Sequence, residues 1–450
     1  MSGNSKRTCD EFLASNDNAD SATQTETTQS HHGPLEPPAK QRRTEASANS
    51  LETIHDNAED DPLVSLLDFT DLDTQSAISA RFFEIAENLL QHYRIEITTS
   101  STVEQLELLE IEFYLYKPGC HEDPFTHGSV EQCQAGQWYF HRPPSRSNEL
   151  GTPTAFASGY RGGTRKGLDI TIGHPAPAVT SKYFSAGNPA DGPASSPSKS
   201  TSALRGGILL RSIRHQSDNT VISGPSLLVD EILRLSGASK IPDLIADVWQ
   251  TDISAFPSSS ASSSSSSPRR STMRLLRVSP APRAPSAPEA SLRIYRSPRI
   301  GLDLSHPSIS TSNLRTHPRV LFLGAPYRFF AHPHLLTANG RGQTFLGVYD
   351  ALDAAGAHAV YSLEMWRAIE TATRWKFLTV KNCFAEYRTG VEGAYEDYGK
   401  PLEEVLGQWV GRKGVSGSMT GWLRMMGTLR RFLSTAEKAT VVAEGQGSEH

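Results

Sequence analysis

Glu112 and Tyr114, with His127 beyond a Pro-Gly turn, are the side chains whose types and spacing best suit chemistry. They belong to the run LLEIEFYLYKPGCHEDPFTH, residues 108–127, in which apolar Leu109, Ile111, Phe113 and Leu115 alternate with Glu110, Glu112, Tyr114 and Tyr116. A period of two is that of a strand with one buried face. Two carboxylates and two phenols then share the other face. A strand that only sealed a core would usually carry Lys, Thr or Ser there, so this face reads as the floor of a pocket. The plainer alternative is a half-exposed strand with polar decoration.

Other residues invite the same question. Arg211 is the one cation in the otherwise apolar run Gly206–Ile213. A cation in a buried strand is costly unless paired, so it should reach a carboxylate or a bound anion. In Leu168–Gly173 the alternation turns Leu168, Ile170 and Ile172 inward and puts Asp169 and Thr171 on the opposite face. Just before it, Gly159–Gly167 gathers glycines around Tyr160, Arg161, Arg165 and Lys166, a composition able to hold a phosphate through backbone N–H groups and charge. It lacks P-loop spacing, and a flexible hairpin explains it equally well. Ser223, Gly224 and Ser226 surround Pro225 at a helix start, an open N-terminus of the kind that binds anions or simply faces water.

The elements that must position these groups are legible from pattern. A helix is expected from Asp73 or Thr74 to about Gln91, with Ile78, Phe82, Ile85, Leu89 and Leu90 as its apolar stripe. Strands follow at His92–Thr98, in the central run, and at Gly136–Arg142, which ends at Pro143-Pro144. Leu228, Ile232, Leu235 and a terminal Gly237 mark a helix from Pro225. Arg299–Asp303 and Pro326–Phe330 read as closing strands, and Thr344–Ala354, Ser362–Trp375 and Trp422–Leu433 as helices. In the last helix the stripe Trp422, Met425, Leu429 and Phe432 reads as core.

Bulk composition sets limits. The 450 residues are 37% hydrophobic, with 34 Gly and 28 Pro, which is less core-forming material than the length suggests. Residues 1–60 are polar and acidic and read as disordered; 175–203 and 257–290 read as disordered insertions. The net charge of −5 is unevenly spread, and the chain after residue 75 is mildly basic. Eight arginines and a single acid, Glu289, lie across Arg269–Arg299, a cationic stretch suited to a polyanion. Four cysteines make no disulfide framework, and no leader or long apolar run is present, so no membrane partner is expected. Lys40, Arg42 and Arg43 form a basic island that fits a nuclear import signal, which gives the nucleus as the expected location.

Taken in order, these pieces resemble the alkyladenine (methylpurine) DNA glycosylase family. The matching residues are Glu112-Phe-Tyr114, His127, Gly136–His141, Asp169, Leu209-Leu-Arg211-Ser, Ser223-Gly-Pro-Ser-Leu-Leu, Arg299-Ile-Gly-Leu302 and Pro326–Phe330. They span roughly Gln75–Ala331 and leave both ends unexplained. The resemblance implies an α+β fold, one compact domain around a curved antiparallel sheet, with a helical C-terminal extension over 340–435 left outside it. It further implies a monomer that hydrolyses the N-glycosidic bond of a damaged purine flipped out of duplex DNA, without metal or organic cofactor. Glu112 would be the general base, Arg211 would hold the water or a phosphate, and Tyr114, His127 and His141 would line the base pocket. The sequence departs from the family at Asp169, where a neutral amide is expected. It departs again at the turn Tyr160–Lys166, where the family carries an aromatic wedge, and in the longer interval from Glu112 to His127. Other readings are a non-catalytic nucleic-acid-binding protein on the same fold, and an enzyme using Glu112 and Asp169 as a carboxylate pair on a different substrate. A zinc module from Cys120, His121, His127, Cys133 and His141 lacks paired C-x₂-C spacing.

Overall fold

The computed structural model describes residues 61–143, 159–174, 204–256, 269–278, 292–337, 339–356 and 362–446, with side chains as far as residue 435. The acidic segment with Lys40, Arg42 and Arg43, the 175–203 segment and Arg283 lie outside the described residues. What is described is a mixed helix-and-strand fold built on a curled antiparallel sheet, as the sequence led us to expect.

The sheet has ten strands. They are β1 (Tyr93–Thr99), β2 (Val103–Lys117), β3 (His121–Glu122), β4 (Trp138–Phe140), β5 (Leu168–Ile172), β6 (Arg205–His215), β7 (Val221–Ser223), β8 (Ser271–Arg277), β9 (Tyr295–Ser297) and β10 (Arg328–Phe330). The helices are α1 (Pro62–Leu66), α2 (Gln75–His92), α3 (Pro225–Leu235), α4 (Ile241–Asp243), α5 (Pro318–Leu323), α6 (Arg341–Ala354), α7 (Leu363–Thr373), α8 (Phe377–Glu392), α9 (Leu402–Gly407) and α10 (Met419–Gln446).

Long β2 organises the sheet. One edge pairs with β6, and the other is shared in turn by β1, β10 and β3. Beyond β6 lie β5 and β4. Helix α2 starts where Thr74 caps it, its hydroxyl accepting from Ala77 N at 3.1 Å, and lays Phe82 on Phe113 of β2 with ring centroids 4.4 Å apart. The apolar stripe read from sequence is buried in full: Ile78, Phe82, Ile85, Leu89 and Leu90.

Four sequence expectations are corrected. First, β2 is not a half-exposed strand: residues from Leu106 to Phe113 are buried on both faces. Second, its alternation breaks at Leu109. Between the pairs Leu108–Ile213, Glu110–Ser212 and Ile111–Leu210 the register slips once on each strand, leaving Leu109 and Arg211 as the extra residues of two bulges. Leu109 therefore joins a second apolar cluster with Tyr295, Phe330 and the C-terminal helices, while Ile111, Phe113 and Leu115 stay in the first. Third, 257–290 is not all insertion. Ser271–Arg277 pairs with the whole of β1, because Met273 and Leu275 bury while Thr272 and Arg274 face outward. Part of the arginine stretch is likewise spent on structure: Arg269 and Arg274 pair with Asp252, Arg299 with Asp123, and Arg293 lies over Tyr295, while Arg270, Arg277 and Arg296 are exposed. Fourth, Arg299–Asp303 is a turn after β9 and not a strand, whereas Arg328–Phe330 does close the sheet. Helices α8 and α9 went unread; α8 carries Thr389 and Gly390, and Gly390 sits where a Cβ would lie 2.2 Å from Arg424 O of α10. The Trp422, Met425, Leu429 and Phe432 stripe is core.

Candidate functional site

Facing residues on neighbouring antiparallel strands share a sheet face. The row Tyr139–Asp169–Leu209–Glu112–Arg328–Ser297 runs across β4, β5, β6, β2, β10 and β9. Asp169 and Glu112 thus stand on one face with Leu209 between them, two strand spacings or about 10 Å apart at the backbone. Over Leu209 lies a cavity of about 280 Å³ whose lining includes Tyr114, His127, His141, Asp169, Arg211, Arg161, Arg165 and Lys166. Residues scattered from 114 to 211 meet in one place.

One wall is a buried charge network. Glu112 is 0% exposed; it accepts from Tyr114 Oη (2.8 Å), Arg211 Nη1 (3.3 Å) and the backbone N of Ile300 (2.8 Å). Glu110 accepts from Arg211 Nε, Arg328 Nε and Ser212 Oγ. Burial works against an ionised Glu110, but Arg328 and Arg211 outweigh it and hold the carboxyl below its usual range. Burial also opposes the Arg211 charge, and Glu112 and Glu110 outweigh that too. For Tyr114, burial first and Glu112 second push the phenol well up, so it stays a proton donor to Glu112. Behind the tyrosine, Arg299 is fully buried, paired bidentately with Asp123, its guanidinium 4.5 Å from the Tyr114 ring centre. Three arginines against three carboxylates leave the network neutral, which is what permits its burial.

The opposite wall is Asp169, His141 and Gln132. His141 Nε2 lies 2.7 Å from Asp169 Oδ1, and Gln132 Nε2 donates to Oδ2 at 3.2 Å. His127 packs on His141 with ring centres 4.4 Å apart. Burial, then the neighbouring His141, pushes the His127 imidazole down to about 4, so it is neutral at neutral pH. His141 is therefore held edge-on by a carboxylate instead of standing as a free stacking ring. Two glycines make the room: a Cβ at Gly207 would come 2.6 Å from Asp169 Oδ2, and one at Gly167 2.5 Å from His141 Nδ1.

The sequence candidates divide. Glu112 does not itself line the cavity; it sits one hydrogen bond behind Tyr114 and Arg211, which do. Tyr160 is no wedge: its ring packs against Phe140 and under Arg142, whose Nη2 donates to its hydroxyl. Nor do Ser223, Gly224 and Ser226 form an open anion site. Ser223 bonds Ser212, Ser226 donates to Gly163 O at 2.8 Å, and of this turn only Pro225 reaches the cavity. Arg161 donates to Arg142 O, and Lys166 pairs with Asp230. Sequence reading missed Gln132, Phe125, Asp123 and Arg328. Gln132 and Asp123 lie outside any periodic strand, and their roles depend on partners far along the chain. No cluster of His, Cys, Asp and Glu able to hold a metal occurs among the described residues, and no helix among them is long and apolar enough to cross a membrane.

No protein-family model matches the chain. A protein of Acanthamoeba polyphaga mimivirus described as uncharacterized is 33% identical over 137 residues, covering 30% of this chain and 51% of its own length. The chain thus spans about half the length of that relative.

Proposed function

We propose that the cavity hydrolyses the N-glycosidic bond of an alkylated or deaminated purine rotated out of duplex DNA. The observation that carries this reading is Glu112, held one hydrogen bond behind the cavity by Tyr114 and Arg211, both of which line it. A volume of about 280 Å³ lies at the lower limit of ligand pockets and suits a single nucleobase. Tyr114 and His127 supply ring surfaces, each stacked base gaining about 1–3 kcal/mol. Arg161 and Arg165 at the rim supply cations for the flanking phosphates.

In this mechanism the C1′–N9 bond breaks as water bonds to C1′, and the water proton passes to Glu112. An alkylated purine that already carries a positive charge leaves neutral without a proton donor, whereas a neutral deaminated purine leaves with the bonding pair as an anion that takes its proton from solvent. Water reaches Glu112 by entering between Tyr114 and Arg211 and replacing the tyrosine on the carboxylate. The reading needs duplex DNA and no cofactor, acts as a monomer, and places the protein in the nucleus by way of Lys40, Arg42 and Arg43. Replacing those three by Ala and following a fluorescent fusion tests the location.

The activity test is single-turnover release of methylated adenine and hypoxanthine from labelled duplexes, with Glu112→Gln alongside. Wild-type release slowed by about 10²–10⁴-fold in the variant supports the proposal; equal release by both overturns it. A binding-only protein on this fold is the second reading, favoured by the complete burial of Glu112 with both oxygens already bonded. Lesion-dependent binding without release would establish it. In either case Arg161→Ala with Arg165→Ala should lower the salt dependence of DNA binding, by about one unit of log–log slope for each phosphate no longer neutralised.

A further inference from the structure

We infer that Gln132, Asp169 and His141 read the base, and that they select a purine whose edge donates hydrogen bonds over one presenting a carbonyl there. This rests on the glycosylase reading of the same cavity and names its substrate class. Gln132 is 1% exposed yet lines the cavity, and its Oε1 is buried with no hydrogen-bond partner. Its amide nitrogen is already committed to Asp169 Oδ2, so the carbonyl is what remains to be satisfied. On Asp169 the other oxygen takes His141 Nε2, which fixes the imidazole proton on that nitrogen. His141 Nδ1 lies against Gly167. Gln132 Nε2 and His141 Nε2 both turn to Asp169, and acceptors are left: Gln132 Oε1, which has no partner, and the unused lone pairs of a buried carboxylate.

A buried acceptor left unpaired is unfavourable, so the partner that fits is an N–H group. An alkylated adenine keeps its exocyclic amino group and carries positive charge, and both features suit this wall. Hypoxanthine has a carbonyl in place of that amino group and would set oxygen against Asp169. Gly207 and Gly167 stand so close to Asp169 and His141 that a Cβ at either would clash with them.

The test compares release of 3-methyladenine with release of hypoxanthine from otherwise identical duplexes, each normalised to its uncatalysed rate. Wild type should favour 3-methyladenine by about ten-fold or more, and Asp169→Asn, which places an amide donor on the wall, should lower that ratio by about ten-fold. Gln132→Leu serves as the second variant should Asp169→Asn fail to fold. If no release occurs, the ratio of dissociation constants for the same two duplexes replaces the rates. An unchanged ratio in both variants, or a wild-type preference for hypoxanthine, overturns the inference and leaves the glycosylase reading standing. Neither release nor lesion-dependent binding by the wild type overturns both.

Discussion

Glu110 and Arg328 carry a large energetic stake, since both are buried and bonded directly at 2.6 Å. Removing one partner of such a pair strands a charge in a dry site. Arg328→Met should destabilise by about 3–5 kcal/mol in chemical unfolding, and adding Glu110→Met should recover much of the loss. A double variant no more stable than Arg328→Met would show that the loss lies elsewhere. His127 gives the pH signature. Its folded value is pushed down to about 4, below the ordinary value near 6.5, chiefly by burial. The unfolded chain takes up the proton first, so the contribution is complete above pH 6.5 and is lost as pH falls towards 4. The difference amounts to about 3 kcal/mol. The fall in melting temperature between pH 7 and pH 4.5 should therefore be smaller in His127→Phe than in wild type; matching curves would remove His127 as the cause.

At the scale of elements, the paired bulges decide where the chemistry goes. Without the slip at Leu109 and Arg211, the alternation of β2 would place Leu109 with Ile111, and Arg211 would fall in the regular ladder. With it, Arg211 reaches both Glu110 and Glu112. Strand β6 shows the opposite constraint beside β5, where Gly207 approaches the Asp169 side chain so closely that a Cβ would lie 2.6 Å from Oδ2. Gly207→Ala should cost about 1–3 kcal/mol and displace Asp169 from His141, visible as a shift of the His141 imidazole resonances alongside a lowered melting temperature. An unaltered imidazole would mean the neighbouring strand yields instead. Much of the element map was legible. Thr74 as cap with a 3.6-residue stripe fixes α2, and Pro225 with Gly237 brackets α3, because those signals are local. Strand β8 was not, since Arg274 and Arg277 in a proline- and serine-rich stretch hide buried Met273, Leu275 and Leu276, whose pairing partner lies far upstream.

For the whole molecule, the C-terminal helices are part of the body that carries the sheet. Leu109, Tyr295 and Phe330 bury among residues of α6 to α10, including Phe345, Leu423 and Phe432. A protein ending at residue 337 would leave those sheet residues in water. We expect it to be insoluble or to lack a cooperative melting transition by circular dichroism; a soluble, cooperatively melting fragment would show that the helices are a separable addition.

The sequence by itself determined the strand carrying Glu112 and Tyr114, the helices with caps and stripes, and the polar residues at 169 and 211 that have no place in an ordinary core. All of these follow from local periodicity and side-chain chemistry. Only the tertiary structure decided that Asp169 belongs to His141 and Gln132, that Tyr160 is packed away, and that Glu112 is sealed behind Tyr114. Those outcomes depend on register slips, on glycines that let one strand approach another, and on ion pairs between residues about a hundred or more positions apart, such as Arg211 with Glu110 and Glu112. No window of sequence holds both partners of such a pair.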